Sequence, residues 1–147
     1  MNNNYDALKL KNQLCFPLYA ASREVIKLYK PYLDKLNLTY TQYVAMMVLW
    51  EVGCCNVKEM GKKLYLDSGT LTPLLKELEK KGYVKRARKE GDRRYLAVEL
   101  TKKGIELKDE ALYIPYEMAK NLCLTCEETA LFYRLIYKML SVVEGKF

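Results

Sequence analysis

No histidine occurs anywhere in this chain. That absence removes His-based acid–base catalysis, Ser-His triads, Cys-His dyads and most zinc sites in one step. A zinc site built of cysteine alone would need four thiolates held tetrahedrally. Of the five cysteines, Cys123 and Cys126 have a C-x2-C spacing, but Cys54 and Cys55 are adjacent and make a poor chelating pair. No metal and no other cofactor is expected. Long hydrophobic runs are missing too. The longest, "YVAMMVLW", is far too short to span a bilayer, and the opening "MNNNYD" lacks the apolar region of a signal peptide. The chain therefore reads as soluble and cytoplasmic, where thiols stay mostly reduced and a structural disulfide is not expected. Gly/Ser-rich linkers, low-complexity tracts and internal repeats are also absent.

What is present is enough for one domain with a real core: 147 residues, half of them hydrophobic. The net charge of +7 and a pI near 9.1 favour a polyanionic partner, nucleic acid or an anionic membrane surface.

Hydrophobic spacing lays out the elements. Residues 6–30 read as helical, with Leu8, Leu14, Leu18, Ile26 and Leu28 at roughly helical intervals. Pro17 either kinks this helix or sits in the first turn of a second one, and Pro31 fits a stop. Thr39 with Gln42 forms a capping-box pattern opening an apolar helix that ends at Gly53, and Asn56 with Glu59 opens a short amphipathic one. After a turn at "LDSG", the segment 69–81 carries Leu71, Leu74, Leu75 and Leu78 on one face, with Gly82 placed to end it. "YVKRARK" and "RYLAVEL" then alternate as two strands around "EGDR". Thr101 reads as the cap of a single helix over "KKGIELKDEALYIPYEMAKNL". Thr125 with Glu128 opens a last helix carrying Leu131, Leu135 and Leu140. The predicted order is two to four helices, a hairpin, and two further helices.

Two short helices joined by a tight turn and followed by a basic hairpin make a winged helix-turn-helix. On the second helix, Gly69, Pro73, Lys76 and Lys80 lie opposite the leucines, with Thr70 and Thr72 on the flanks. Small, hydroxylated and basic residues suit a surface pressed into a major groove. Ser68 would present the helix N-terminus to a phosphate. The hairpin carries Lys85, Arg86, Arg88, Lys89, Arg93 and Arg94, and arginine at a hairpin tip suits a minor groove. The competing reading is a solvated amphipathic helix beside a charged edge hairpin, since basic edges also deter sheet aggregation. The outer helices have apolar stripes beyond what a small winged domain needs. A second chain would cover them, and a two-fold dimer would set its recognition helices ~34 Å apart on an inverted repeat.

This order of elements, with "LYLDSGTLTPLLKELEKKGYVKRARKEGDRRYLAVELTKKG" at its centre, resembles the MarR family of winged-helix transcription regulators. The N-terminal "NQLCFPLYAASREVIKLYKPYLDKLNLTYTQY" is similar to the organic hydroperoxide sensor branch, OhrR. The resemblance spans nearly the whole chain. It implies one MarR-type domain over 1–147: a winged helix-turn-helix at about 39–101 between dimerisation helices at about 6–36 and 102–147. It also implies a homodimeric repressor that releases DNA when its N-terminal cysteine is oxidised. The reactive cysteine falls on Cys15 and the thiolate-binding tyrosines on Tyr19 and Tyr29, supplied by the partner subunit, with a third pocket tyrosine at Tyr40. The implied DNA contacts include Ser68, Thr70 and Arg94. Pro17, beside Cys15, departs from regular helix bonding.

Residue chemistry bears on this expectation directly. The thiolate is the form that attacks a peroxide. If Pro17 marks a helix start, the positive end of the helix dipole lies beside the sulfur, and phenol O–H groups can donate to it. Fourteen helical residues rise ~21 Å, so Tyr29 cannot reach Cys15 of its own chain along a straight helix, but an antiparallel partner helix could bring it there. Leu14, Phe16 and Leu18 would favour greasy peroxides. Attack would leave a sulfenic acid at Cys15. Cys123 and Cys126 are candidate resolving thiols; the alternatives are a small external thiol, or that both are small buried hydrophobes. For Cys54 and Cys55, simple burial or loop exposure is expected. Two rival functions stay open: a MarR-type regulator released by a lipophilic or phenolic ligand, and a thiol peroxidase using Cys15. The basic wing argues against the enzyme.

Overall fold

Proline decides where the first long helix begins. The computed structural model describes residues 5–88 and 96–142. Two short 3-10 turns, Tyr5–Leu8 and Leu10–Asn12, precede α1, Cys15–Leu33. The single helix expected over 6–30 is thus corrected. Pro17 has no N–H to give the Gln13 carbonyl, so it is tolerated only in a first turn, and α1 starts two residues before it. Pro31 does not stop α1 either. It lies inside the last turn, and the chain runs on through a 3-10 turn at Asp34–Leu36 because Leu33 and Leu36 are anchored in the core. The reversal comes at Asn37, which is left-handed with φ 53°.

The capping boxes stand as expected. Thr39 and Gln42 exchange hydrogen bonds at the start of α2, Tyr40–Val52, which ends at Gly53. A strand that the sequence pattern does not reveal follows, β1 at Cys54–Asn56. Asn56 then caps α3, Val57–Leu64, with Glu59 completing the box. The next helix, α4, is Ser68–Lys80, one residue earlier at each end than the leucine pattern suggests, because Asp67 caps it. Gly82, at φ 76°, closes α4 in a Schellman turn: Tyr83 N–H bonds Leu78 O and Gly82 N–H bonds Glu79 O.

The chain turns back through β2, Val84–Arg88, and β3, Leu96–Leu100, in an antiparallel sheet of order β1-β3-β2. The register pairs Cys55 with Val98 and Arg86 with Val98. Thr101 caps α5, Lys102–Ala111. The one helix expected over the following stretch is two. Pro115 cannot donate to Ala111, so the ladder breaks and α6, Ile114–Leu122, starts afresh with Pro115 in its first turn. Thr125 and Glu128 box the start of α7, Cys126–Leu140. Three helices therefore follow the hairpin, not two.

All four α4 leucines are buried, and they join Met46, Leu49, Met60 and Val98 in one cluster that extends to Met118 of α6. Each such burial contributes roughly 1.5–3 kcal/mol. Polar ties orient α4 within it. Lys81, just past its end, donates to Asn37 O at 2.7 Å and to the buried Gln42 Oε1 at 2.8 Å. The result is a winged helix between long outer helices, mainly α as the patterns imply. Among the described residues, no helix is long and apolar enough to cross a membrane.

Candidate nucleic-acid interface and thiol site

The exposed side of α4 is built at its first turn. Asp67 accepts the Thr70 N–H at 2.8 Å and the Thr70 hydroxyl at 3.1 Å. Thr72 gives its hydroxyl proton to the Ser68 carbonyl at 2.7 Å. Both threonines thus spend their donors inside the helix and turn lone pairs outward, a surface that accepts hydrogen bonds from base amino groups. Ser68, Gly69, Thr70, Thr72, Pro73 and Lys76 are all exposed. Lys76 has no hydrogen-bond or ion-pair partner among the described residues, whereas Lys80 is paired with Glu77 at 2.6 Å. Asp67 was legible as a cap residue in "LDSG" and was missed because that stretch reads equally well as a turn.

The Thr70 backbone and hydroxyl hydrogen bonds hold the Asp67 carboxyl below its usual range. A depressed folded value means that the cap stabilises α4 above the unfolded carboxyl's value and is lost as pH falls through the lowered one. A carbon-13 titration of the Asp67 carboxyl should therefore give a midpoint below that of a free aspartate. A midpoint at or above the free value would remove the cap from the account.

The wing's cations divide. Lys85 pairs with Glu99 at 3.0 Å and stays exposed. Arg86, expected to contact DNA, is half-buried and turned inward. Its Nη2 lies 2.6 Å and its Nε 2.9 Å from Glu79 Oε2, so a helix carboxylate holds it. Arg88 ends β2. Lys89, Arg93 and Arg94 lie outside the described residues.

The thiol region spans α1. Cys15 is the first residue of that helix, exposed, with no side chain capping the helix end, so the positive end of the helix dipole lies beside its sulfur. Leu14 and Phe16 beside it are exposed as well. One turn on, Tyr19 is exposed under Arg23, whose guanidinium lies 5.4 Å from the ring centroid and 3.5 Å from the phenol oxygen. Tyr29 lies toward the other end of α1. Its ring meets Tyr40 edge-on at 4.9 Å and Tyr43 at 6.0 Å, and Tyr43 meets Trp50 at 6.2 Å. Burial pushes the Tyr29 and Tyr40 phenols above their ordinary range, and burial with its phenol neighbours takes Tyr43 up to about 12. All three hold their protons at neutral pH. The fold thus brings Tyr29 and Tyr40 together, adds Tyr43, and leaves Cys15 fourteen residues of continuous helix away, ~21 Å along the axis.

Cys123, left-handed at φ 51°, ends α6, and Cys126 begins α7; both are exposed. On β1 the adjacent cysteines point to opposite sides: Cys54 is exposed, Cys55 buried, and burial pushes the Cys55 thiol up to about 11. Cys55 is an inert core residue. No residue of α7 is buried, and Leu131, Phe132, Leu135 and Met139 lie in the open. A groove of about 490 Å³ opens between α2, α3 and α5, lined by Val44, Met47, Val48, Trp50, Glu51, Leu64 and Lys108.

The family profile described as transcriptional regulator SarA/Rot matches residues 27–111. The organic hydroperoxide resistance transcriptional regulator of Bacillus subtilis strain 168 is 56% identical over 115 residues, 78% of each chain. The chain belongs to the MarR/SarA family of winged-helix transcriptional regulators, in the organic hydroperoxide branch. Reduced AbfR bound to DNA is 33% identical to this regulator, with a TM-score of 0.78 over 94% of this chain and 96% of that one. Disulfide-formed AbfR is 35% identical, with a TM-score of 0.66 over 97% and 98%. Both are forms of one protein, so the difference between them is of shape rather than sequence.

Proposed function

We propose that this regulator is a homodimeric repressor that holds inverted-repeat DNA when reduced and releases it when an organic hydroperoxide oxidises Cys15. The observation that carries the proposal is an exposed thiol at the start of α1 and, near the other end of that helix, Tyr29 packed half-buried against Tyr40 of α2, in a chain with a helix-turn-helix and two wing strands. One domain spans 1–147, with the winged helix-turn-helix at about 39–101. The outer helices, about 6–36 and 102–147, pair with those of a second copy. The exposed apolar face of α7 supports that pairing. An antiparallel partner α1 brings its Tyr19 and Tyr29 to Cys15 as the thiolate-binding phenols, and Tyr40, at the start of α2 and in ring contact with Tyr29, is the third tyrosine of the pocket. Ser68, Thr70, Thr72 and Lys76 meet the DNA, with Arg88, Arg93 and Arg94 contributed by the wing. Arg86 is withdrawn from that list.

The thiolate attacks one oxygen of the hydroperoxide, the O–O bond breaks, and sulfenate and alcohol result. Protonation gives the sulfenic acid. A second thiol then displaces water to form a disulfide; Cys123, Cys126 and a small external thiol are the candidates, and both cysteines are exposed as this requires. A reducing cytoplasm resets the thiol. The recognition helix and basic wing, which a peroxidase does not need, favour a sensor over an enzyme. The groove beside Trp50 supports a second reading, release by a small lipophilic or phenolic ligand.

The test is binding to a duplex selected from a random library by the reduced chain, before and after one equivalent of cumene hydroperoxide. Affinity should fall about 100-fold, the upper end of ordinary coupling, and recover on adding dithiothreitol. Loss of affinity with a phenol and no peroxide would favour the ligand reading, and multiple turnover of peroxide would favour an enzyme. Cys123→Ser and Cys126→Ser, singly and together, assign the resolving thiol on non-reducing gels.

A further inference from the structure

An ion pair ties β2 of the wing to the last turn of α4. Glu79 lies in the last turn of α4, and the Schellman turn at Gly82 reverses the chain so that Arg86 of β2 returns beside it. One carboxylate then makes three contacts. Its Oε1 takes the Arg86 backbone N–H at 3.0 Å, and its Oε2 takes Nε at 2.9 Å and Nη2 at 2.6 Å. β2 is an edge strand, so the outward N–H of Arg86 has no strand to pair with, and the carboxylate satisfies it. The guanidinium fork fixes the direction as well as the distance of the contact. Both groups are partly covered: the Arg86 side chain is 19% exposed and the Glu79 side chain 37%. By contrast, the exposed pairs Lys80–Glu77 and Lys85–Glu99 each stay within one helix or one sheet and fix no angle between elements.

We propose that Arg86 and Glu79 form a positioning clamp that sets the pitch of the wing relative to the recognition helix α4, so that both can engage DNA at once. Arg86 acts through the strand it holds and touches no phosphate. This inference rests on the DNA-binding reading above.

The two roles open to Arg86 predict opposite signs. A phosphate contact needs its charge, and freeing it from Glu79 would strengthen binding. A clamp needs the fork and its carboxylate, and removing either weakens binding. The test measures affinity for the library-selected duplex over a series of salt concentrations, using full-length wild type, Arg86→Lys, Arg86→Gln, Glu79→Gln and the double variant Glu79→Gln/Arg86→Gln. The clamp predicts that each single variant binds about tenfold more weakly, as expected for a partly exposed charge-assisted pair, and that the double is no worse than either single. It also predicts an unchanged slope of log affinity against log salt, because no phosphate contact is lost. Arg86→Lys keeps the charge and Glu79→Gln keeps an acceptor for the strand N–H, so these two variants carry the test if Arg86→Gln melts early.

The clamp is overturned if Glu79→Gln binds as tightly as wild type or more tightly. It is equally overturned if Arg86→Lys matches wild type while Arg86→Gln flattens the slope by about 0.9, the value of one phosphate contact. If the reduced wild type selects no duplex at all, the DNA-binding reading itself fails, an outcome distinct from the other two.

Discussion

Replacing Cys15 with serine should leave affinity for the selected duplex within about twofold of wild type and abolish its loss on peroxide treatment, a response of about 100-fold in the wild type. The reasoning starts from exposure. Cys15 is open to solvent in the single chain and makes no contact that a serine hydroxyl would spoil. The change removes only the nucleophile, and an alcohol does not attack a peroxide under these conditions. The other thiols cannot substitute in this scheme. Cys55 is buried with its thiol pushed up to about 11, and the scheme gives Cys123 and Cys126 only the later, resolving step. Equal release of Cys15→Ser and wild type would end the redox reading.

The same prediction extends to which chain supplies what. Tyr29→Phe removes one donor to the sulfur, a charge-assisted hydrogen bond of about 1.5–3 kcal/mol, and should slow oxidation roughly ten- to a hundredfold. A mixed dimer, one chain Cys15→Ser and the other Tyr29→Phe, separates the geometries. If the phenol comes from the partner, the one remaining Cys15 faces an intact Tyr29 and reacts at the wild-type rate. If sulfur and phenol belonged to one chain, it would react at the slow rate.

What could be read from the residues alone follows the range of the interactions. The boxes at Thr39, Asn56 and Thr125 span three residues and were legible as short patterns. The leucine face of α4 was legible because a helix repeats. β1 was not: its three residues, running from just after the helix end at Gly53 to the cap residue Asn56, are too few to alternate, and its partner β3 lies more than forty residues on. Pro17 and Pro115 were visible, but only the fold shows which carbonyl each leaves unbonded. Cys15 and the tyrosines were found by spacing and resemblance, and the helical rise alone separated Tyr29 from its own Cys15. The burial that pushes the Tyr29, Tyr40 and Tyr43 phenols up comes from packing between α1 and α2, which no spacing encodes. The Arg86–Glu79 pair was not legible for a related reason. The charge of Arg86 marks it as basic, but its partner is seven residues back across a turn whose geometry decides whether the guanidinium faces DNA or Glu79.

Gly104→Ala should cost about 3 kcal/mol or more, a large share of the ~5–15 kcal/mol that holds a domain of this size together. Gly104 sits in the first turn of α5 and is buried. A Cβ there would run into the Tyr83 carbonyl oxygen, with the Tyr83 carbonyl carbon at 3.0 Å and Leu100 Cδ2 at 3.2 Å. Neither side can give way. The Tyr83 carbonyl accepts from the Thr101 N–H at 3.1 Å and its hydroxyl at 3.2 Å, and the Tyr83 phenol is tied to Leu36 O at 3.0 Å. Gly104 itself donates to Thr101 Oγ1 at 3.1 Å and accepts from Trp50 Nε1 at 2.8 Å. A methyl group would push α5 away from the sheet, break the Thr101 cap and disturb the turn that ends α4, so the recognition helix would loosen along with α5. Gly53→Ala is the control. Its φ of 75° strains any side chain, but nothing lies within 4 Å of an added Cβ, so the cost should be about 1 kcal/mol. Urea melts followed by circular dichroism compare the two. Equal costs would mean that the Tyr83 carbonyl gives way to the added methyl group and does not account for the glycine at position 104.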